Sequence, residues 1–246
     1  KEITHGIDGT GVKAGIVKGG SGYNTMNGQD QMLLRVAAQV HLETGVPIIT
    51  HTEGGTMGFE QVEYLVSHGV KPERICLSHM DRNPDFWEHR RITQTGAYLG
   101  YDCPGKTKYG PDEYRNGVLQ RLIEAGQGNR ILLGNDLGRP SYWRSYGGGP
   151  GLDFVLTKYI PRLRTERFSS EAIDDLLTQM DAAKELRSLG ISDAEMERRL
   201  KALKAAKARE EMVAEDAVDE ELLPVSRPDP ALSLILWLEN KILLPT

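Results

Sequence analysis

The regular alternation of short apolar runs with helical stretches limits what this chain can fold into more than any other feature. It recurs five times between residues 12 and 165. GVKAGIVK, VPIITH, RICLSH, AYLGYD and RILLGND read as strands, bounded by glycines and polar residues. Helical patterns lie between them, over residues 29–44, 58–67, 85–95 and 111–125. In the first of these, Met32, Leu33, Val36, Ala37 and Val40 recur at helical spacing, and Gly45 closes it. The fifth strand feeds a glycine-rich, aromatic loop, GRPSYWRSYGGGPG, and then the helix LDFVLTKYIPRL. Five successive βα units require a parallel sheet covered by helices.

Two closures satisfy that pattern, a doubly wound open sheet or a (β/α)8 barrel. No G-x-G-x-x-G follows a strand, which disfavours the dinucleotide-binding form of the open sheet. The polar residues favour the barrel. Lys18, His51, His79 and Asp136 each stand at the C-terminal end of an expected strand, and in a barrel those ends meet on the face where active sites are built. Neutral imidazole and carboxylate suit a divalent metal such as zinc. A protonated lysine offers no lone pair at neutral pH, its free pKa being about 10.4. Carbamylated by carbon dioxide, the same side chain becomes an anionic ligand able to bridge two metals. A two-metal site would activate water and polarise an ester or lactone carbonyl.

GTGVKAGIVK, GVPIITHTEGG, RICLSHMDR and ILLGNDLG, in this order and spacing, closely resemble the phosphotriesterase family of the amidohydrolase superfamily. The resemblance covers roughly residues 1 to 178. It implies an α/β fold, a (β/α)8 TIM barrel, with Lys18 as the carbamylated bridging ligand of two divalent metal ions. By the same match His51 and His79 hold the more exposed metal. Asp136 binds the more buried one and accepts a proton from the nucleophilic water. The family's H-x-H pair does not occur in this sequence. The family pattern makes Lys18 the end of the fourth strand. The resemblance therefore implies a partial barrel, about the last five βα units, with the first three strands upstream of Lys1.

Two loops would overhang the metal face. One carries Lys106, Lys108 and Tyr109, and the other Arg139, Tyr142 and Arg144. Cations and phenols there could hold a phosphate. The combination is similar to the branch of the family that opens lactones of phosphorylated sugars, with Lys108, Arg139 and Tyr142 matching its phosphate contacts. An organophosphate or aryl ester pocket would call for more apolar loops. Of the remaining candidates, Asp102 ends a strand and is expected to support a ligand or touch substrate. Cys103 adjoins the site with no base beside it. Cys76 reads as a small buried hydrophobe, and His41, His68 and His89 as surface residues of helices.

Composition excludes several classes. A net charge of −5 gives no nucleic-acid footprint, and no apolar run reaches the roughly 18 residues of a membrane span. Two cysteines and no secretory leader point to a cytoplasmic location. The chain divides into the barrel portion, residues 1–178, and a helical extension, residues 179–246. In the extension, residues 198–209 carry six basic residues and no acid, and residues 210–221 carry seven acids and no base. As one helix that order opposes the macrodipole. PVSRPDP then reads as a linker and LSLILWLENKILL as a short docked helix. The open strand edges of a partial barrel predict association of chains into a homo-oligomer. The competing expectation is a catalytically incomplete fragment that binds metal or a partner.

Overall fold

A computed structural model describes residues 1–166 and 168–179, so the charged tail, the linker and the terminal apolar segment lie outside the described residues. Five strands, β1 (Val17–Ser21), β2 (Ile48–Thr52), β3 (Ile75–Ser78), β4 (Tyr98–Tyr101) and β5 (Ile131–Leu133), form one sheet. All neighbouring pairs are parallel and the spatial order is the chain order. A doubly wound sheet reverses its order at a switch point. This one does not, and it is part of an α/β barrel. The helices are α1 (Glu2–His5), α2 (Gly28–Thr44), α3 (Gly58–Ser67), α4 (Phe86–Thr95), α5 (Asp112–Glu124), α6 (Ile160–Thr165) and α7 (Ser170–Gln179).

Local chemistry sets where these helices start and stop. The Asn27 side chain accepts from the N–H groups of Gln29 and Asp30, and Asp30 answers by accepting from the Asn27 N–H. Gly45, in the left-handed region, ends α2. Asp85 caps α4, and the hydroxyl of Ser169 accepts from Ala172 at the start of α7. A π-helical turn, Val155–Tyr159, leads into α6.

Side chains alternate across each strand, so the sheet has two faces of different character. Ile48, Ile75, Leu77, Leu99, Ile131 and Leu133 face the helices and join Leu34, Leu65, Ile92 and Leu119 in the main core. Ile49, Cys76 and Leu132 form a second, smaller cluster on the opposite, concave face, with Ile16 and Tyr98 against it. Cys76 is the small buried hydrophobe expected. Val17 packs with the main core, which turns Lys18 to the concave face beside its register partner Ile49. His51, two residues beyond Ile49, points the same way.

Three expectations need correction. Strand β1 begins at Val17, so Lys18 is its second residue rather than its last. Gly19 and Gly20 belong to the strand, and both are glycine for want of room. A Cβ on Gly19 would stand 2.8 Å from Leu34 Cδ2, and one on Gly20 would stand 2.8 Å from His51 Cβ. His41 and His89 are not surface residues. The Nδ1 of His41 lies 2.7 Å from the Val46 carbonyl, and fully buried His89 meets the Tyr101 hydroxyl at 2.7 Å. Both sit on the sides of α2 and α4 that face the sheet. His68 is half-buried against the Tyr64 carbonyl.

Beneath the loops that follow β3 and β4 lies a buried chain of charges. Asp81 pairs with Arg115 Nε at 3.3 Å, Arg115 pairs with Asp112, and Asp112 accepts from Arg162 Nη1 at 3.2 Å. This ties the β3 loop to α5 and α6. Burial raises the Asp81 carboxyl to about 6, aided by Asp102 and opposed by Arg115. Arg115→Leu leaves that carboxylate without its cation, so stability falls by about 3 kcal/mol or more near pH 8. The deficit should shrink near pH 5, where Asp81 takes a proton. Urea denaturation at both pH values checks this, and a deficit independent of pH contradicts it.

Burial also lowers the His89 pKa to about 4 from 6.5. Between those values the unfolded chain takes up a proton that the folded chain refuses. Stability from this group is intact above 6.5 and is lost as pH falls through 4, the loss tending to roughly 3 kcal/mol. Comparing the acid limb of denaturation for wild type and His89→Gln tests the assignment. The variant should lack this component, and identical limbs would refute it.

Candidate metal centre

Parallel pairing brings the C-terminal ends of β1 to β5 to one side, and each contributes polar side chains to a common concave patch. His51 lies on the inner row of β2, one residue before its end. His79 follows β3 in the left-handed region, φ 66° and ψ 20°. That backbone turn is uncommon for a residue with a side chain. It brings its imidazole edge-on to that of His51, with 4.7 Å between ring centroids. Asp136 stands three residues beyond β5, its N–H donating to the Asp102 carbonyl at 2.8 Å.

Asp102, immediately after β4, grips His79 at two points. One carboxylate oxygen accepts from the His79 N–H at 3.2 Å and the other from His79 Nδ1 at 2.6 Å. The pairing fixes the ring and leaves Nε2 for other partners. Burial alone would raise the Asp102 carboxyl, but the hydrogen bond and charge of His79 outweigh it and hold the group below its usual range. His51 is oriented differently, with its Nε2 3.0 Å from Glu53 Oε2, which leaves Nδ1. Desolvation lowers the His51 pKa, with His79 and Lys18 acting in the same direction and Glu53 against them.

Lys18 is exposed at one flank, yet protein crowds its ammonium. Desolvation lowers its pKa, while Asp102, Cys76 and Asp136 pull in the opposite direction. The same electrostatic neighbours place it on the patch with His51 and Asp136. Asp136 is held by two cations on one oxygen, Lys106 Nζ at 3.2 Å and Arg82 Nη2 at 3.6 Å from Oδ2. Lys106 is buried and also donates to the Asp136 carbonyl.

The expected phosphate contacts are only partly assembled. Lys108 stands over the Tyr109 ring at 4.5 Å and the Tyr142 ring at 5.1 Å, and Lys106 stands over Tyr142 at 4.7 Å. The adjacent Lys108 ammonium lowers the Tyr142 pKa. Arg139 is exposed and its side chain makes no hydrogen bond or ion pair among the described residues. Arg144 turns away to Asp153, 3.1 Å distant.

Sequence reading missed Glu53, Asp81 and Arg82. Arg82 is the hinge of the patch, reaching Glu53 Oε1 at 3.7 Å, Asp136 Oδ2 at 3.6 Å and Cys103 Sγ at 3.3 Å while stacked 3.9 Å over the Tyr109 ring. A signal was available: Glu53 follows His51 by two positions, and Asp81 and Arg82 follow His79 by two and three. Charged residues that close behind a strand-end histidine must lie on the same rim.

A sequence model of the Phosphotriesterase family matches residues 1–183. A phosphotriesterase homology protein of Escherichia coli is 38% identical over 179 residues, covering 72% of this chain and 61% of that protein. A phospho-furanose lactonase of Mycoplasmopsis synoviae is 36% identical over 171 residues, covering 67% of this chain and 48% of the relative. The crystal structure of the Escherichia coli protein, complexed with phosphate in its active site, superposes with a TM-score of 0.68 at 38% identity, over 71% of this chain and 60% of that one. A lactonase from Listeria monocytogenes gives 0.67 at 36% identity, over 71% and 54%. The chain thus spans about half to three fifths of the length of these relatives. No helix among the described residues is long and apolar enough to cross a membrane. With a family match over most of its length and relatives well above 30% identity, this chain belongs to the phosphotriesterase family.

Proposed function

We propose that the concave patch is the metal-binding part of an ester-hydrolysing centre that opens lactones of phosphorylated sugars. The observation that carries the reading is the convergence of two imidazoles, His51 and His79 with 4.7 Å between centroids, on the patch that also holds Asp136 and Lys18. Two imidazoles with one nitrogen each left over, and a carboxylate, are a donor set that suits zinc. Residues His51, His79, Asp136 and carbamylated Lys18 would hold two divalent ions. When bound, the metals supply Lewis acidity toward the lactone carbonyl and a more acidic water.

The chain's own residues perform the remaining work. A lowered Lys18 pKa enlarges the neutral-amine fraction, the form that combines with carbon dioxide. Water adds to the carbonyl carbon; the ring C–O bond breaks with its electron pair on the leaving oxygen, which takes back the proton held by Asp136 to become the alcohol, and the acid ionises to a carboxylate. Asp136 accepts the proton of the attacking water, with Lys106 and Arg82 holding its carboxylate in place. Lys108 and Tyr142, with Arg139 on the same rim, face the phosphate of the substrate. The printed descriptions of two relatives, a phospho-furanose lactonase and a structure with phosphate in the active site, support this substrate class. An aryldialkylphosphatase of Saccharolobus solfataricus, 28% identical, supports the alternative of organophosphate ester hydrolysis.

A second reading is a metal-binding partial barrel without turnover. It is favoured by Asp136, whose Oδ2 is already engaged by Lys106 and Arg82. Metal analysis with and without bicarbonate separates the contributions. Wild type should retain one or two equivalents and Lys18→Ala fewer, and equal content in both would remove the carbamate. Phosphorylated lactones should turn over with a lower KM than unphosphorylated ones, and Arg139→Ala should raise that KM roughly tenfold, the worth of one charge-assisted hydrogen bond. Equal KM values for both substrates would exclude the phosphate site. Metal bound with no turnover of any ester would establish the second reading.

A further inference from the structure

We propose that Glu53 is the positioning residue of His51: by accepting the imidazole's Nε2–H it commits Nδ1 to the metal. The inference rests on the metal-binding reading of the patch and adds a residue outside the four proposed ligands. Glu53 Oε2 lies 3.0 Å from His51 Nε2. An ionised carboxylate only accepts, so the ring nitrogen facing it carries the hydrogen and the lone pair falls on the other nitrogen. His79 meets Asp102 through Nδ1 instead, which leaves its lone pair on Nε2. Two neighbouring imidazoles thus offer opposite nitrogens, each fixed by its own carboxylate.

The Glu53 side chain is exposed, but the turn that carries it is anchored to two neighbouring loops. Glu53 opens a single 3-10 turn, Glu53–Gly55, directly after β2. Gly54 and Gly55 both take left-handed backbone, φ 63° and 70°. A Cβ on Gly55 would stand 2.6 Å from Asn83 Cβ, and Asn83 Nδ2 donates to the Gly55 carbonyl at 3.1 Å, which fastens the turn to the loop after β3. The Thr56 hydroxyl donates to the Glu53 carbonyl at 2.8 Å and accepts from the Asn24 N–H at 2.8 Å, which fastens it to the loop after β1. Arg82 restrains the carboxylate itself. Its Nη1 lies 3.7 Å from Glu53 Oε1, while its Nη2 lies 3.6 Å from Asp136 Oδ2. One guanidinium therefore spans the carboxylate that orients His51 and the proposed ligand Asp136.

A carboxylate partner does two things for a histidine ligand. It fixes the tautomer and ring orientation, and its charge makes the donor nitrogen more basic. Glutamine in its place loses the charge but keeps an amide oxygen that can accept from Nε2–H. Leucine loses both.

Zinc is the probe, and nitrogen NMR reads the tautomer without any metal. In the metal-free chain at about pH 8, above the imidazole range, long-range 1H–15N correlation should show His51 protonated at Nε2. His51→Ala assigns those signals and identifies the zinc equivalent that depends on this histidine. In competition with a chromophoric chelator, that equivalent should bind about tenfold more weakly in Glu53→Leu and less than about threefold more weakly in Glu53→Gln. A wild-type His51 protonated at Nδ1 overturns the proposal, and so does a Glu53→Leu chain that binds zinc as tightly as wild type; both leave the metal reading standing. Affinity as low in Glu53→Gln as in Glu53→Leu overturns positioning and leaves an effect of charge alone. If His51→Ala binds zinc as wild type does, His51 is no ligand, and the metal reading of this residue falls before the role of Glu53 is reached.

Discussion

The candidate site depends on the parallel register of five strands. Lys18 beside Ile49, and His51 beside Ser78, place their side chains on one face because neighbouring residues in a parallel ladder point the same way. A shift of one residue in β1 or β2 would send Lys18 or His51 into the helix-facing core, among Leu34, Leu65 and Ile92. The register is secured from that core side: Ile48, Ile75, Leu99 and Ile131 are all buried against helices. Packing on one face of the sheet thus determines chemistry on the other.

The patch carries opposed charges in close quarters, and its stability rests on pairing them. Asp81, Asp102 and Asp136 would repel one another in a partly desolvated site. Arg115, His79 and the pair Lys106 and Arg82, respectively, answer them. Asp81 and Asp102 are both buried, but only Asp102, through its hydrogen bond with His79, is held below the ordinary carboxylate range, whereas burial pushes Asp81 up to about 6. The arrangement gathers negative charge at the proposed metal site and sets Lys106 and Arg82 beside it.

Much of this was legible before any coordinates. The five βα units, most of the helix limits, and the strand-end positions of His51, His79 and Asp102 follow from periodicity, caps and glycines, because these are local properties of a few adjacent residues. The start of β1 was not, because Gly19 and Gly20 look like loop residues; they are glycine because Leu34 and His51 stand against them. The burial of His41 and His89 was hidden for a similar reason. Which side of a helix faces the sheet depends on packing partners far away in the chain, here Val46 and Tyr101.

By itself the sequence determined the element order and the family, and it singled out Lys18, His51, His79 and Asp136 as the proposed ligand set. Only the tertiary structure decided which nitrogen each histidine leaves available. It also decided that Asp136 is shared between Lys106 and Arg82, and that Cys103 is buried between Arg82 and Asp102. The physical reason is one of range. Residue type and spacing report local preference, whereas a ligand's free lone pair depends on which distant side chain has already taken the other one.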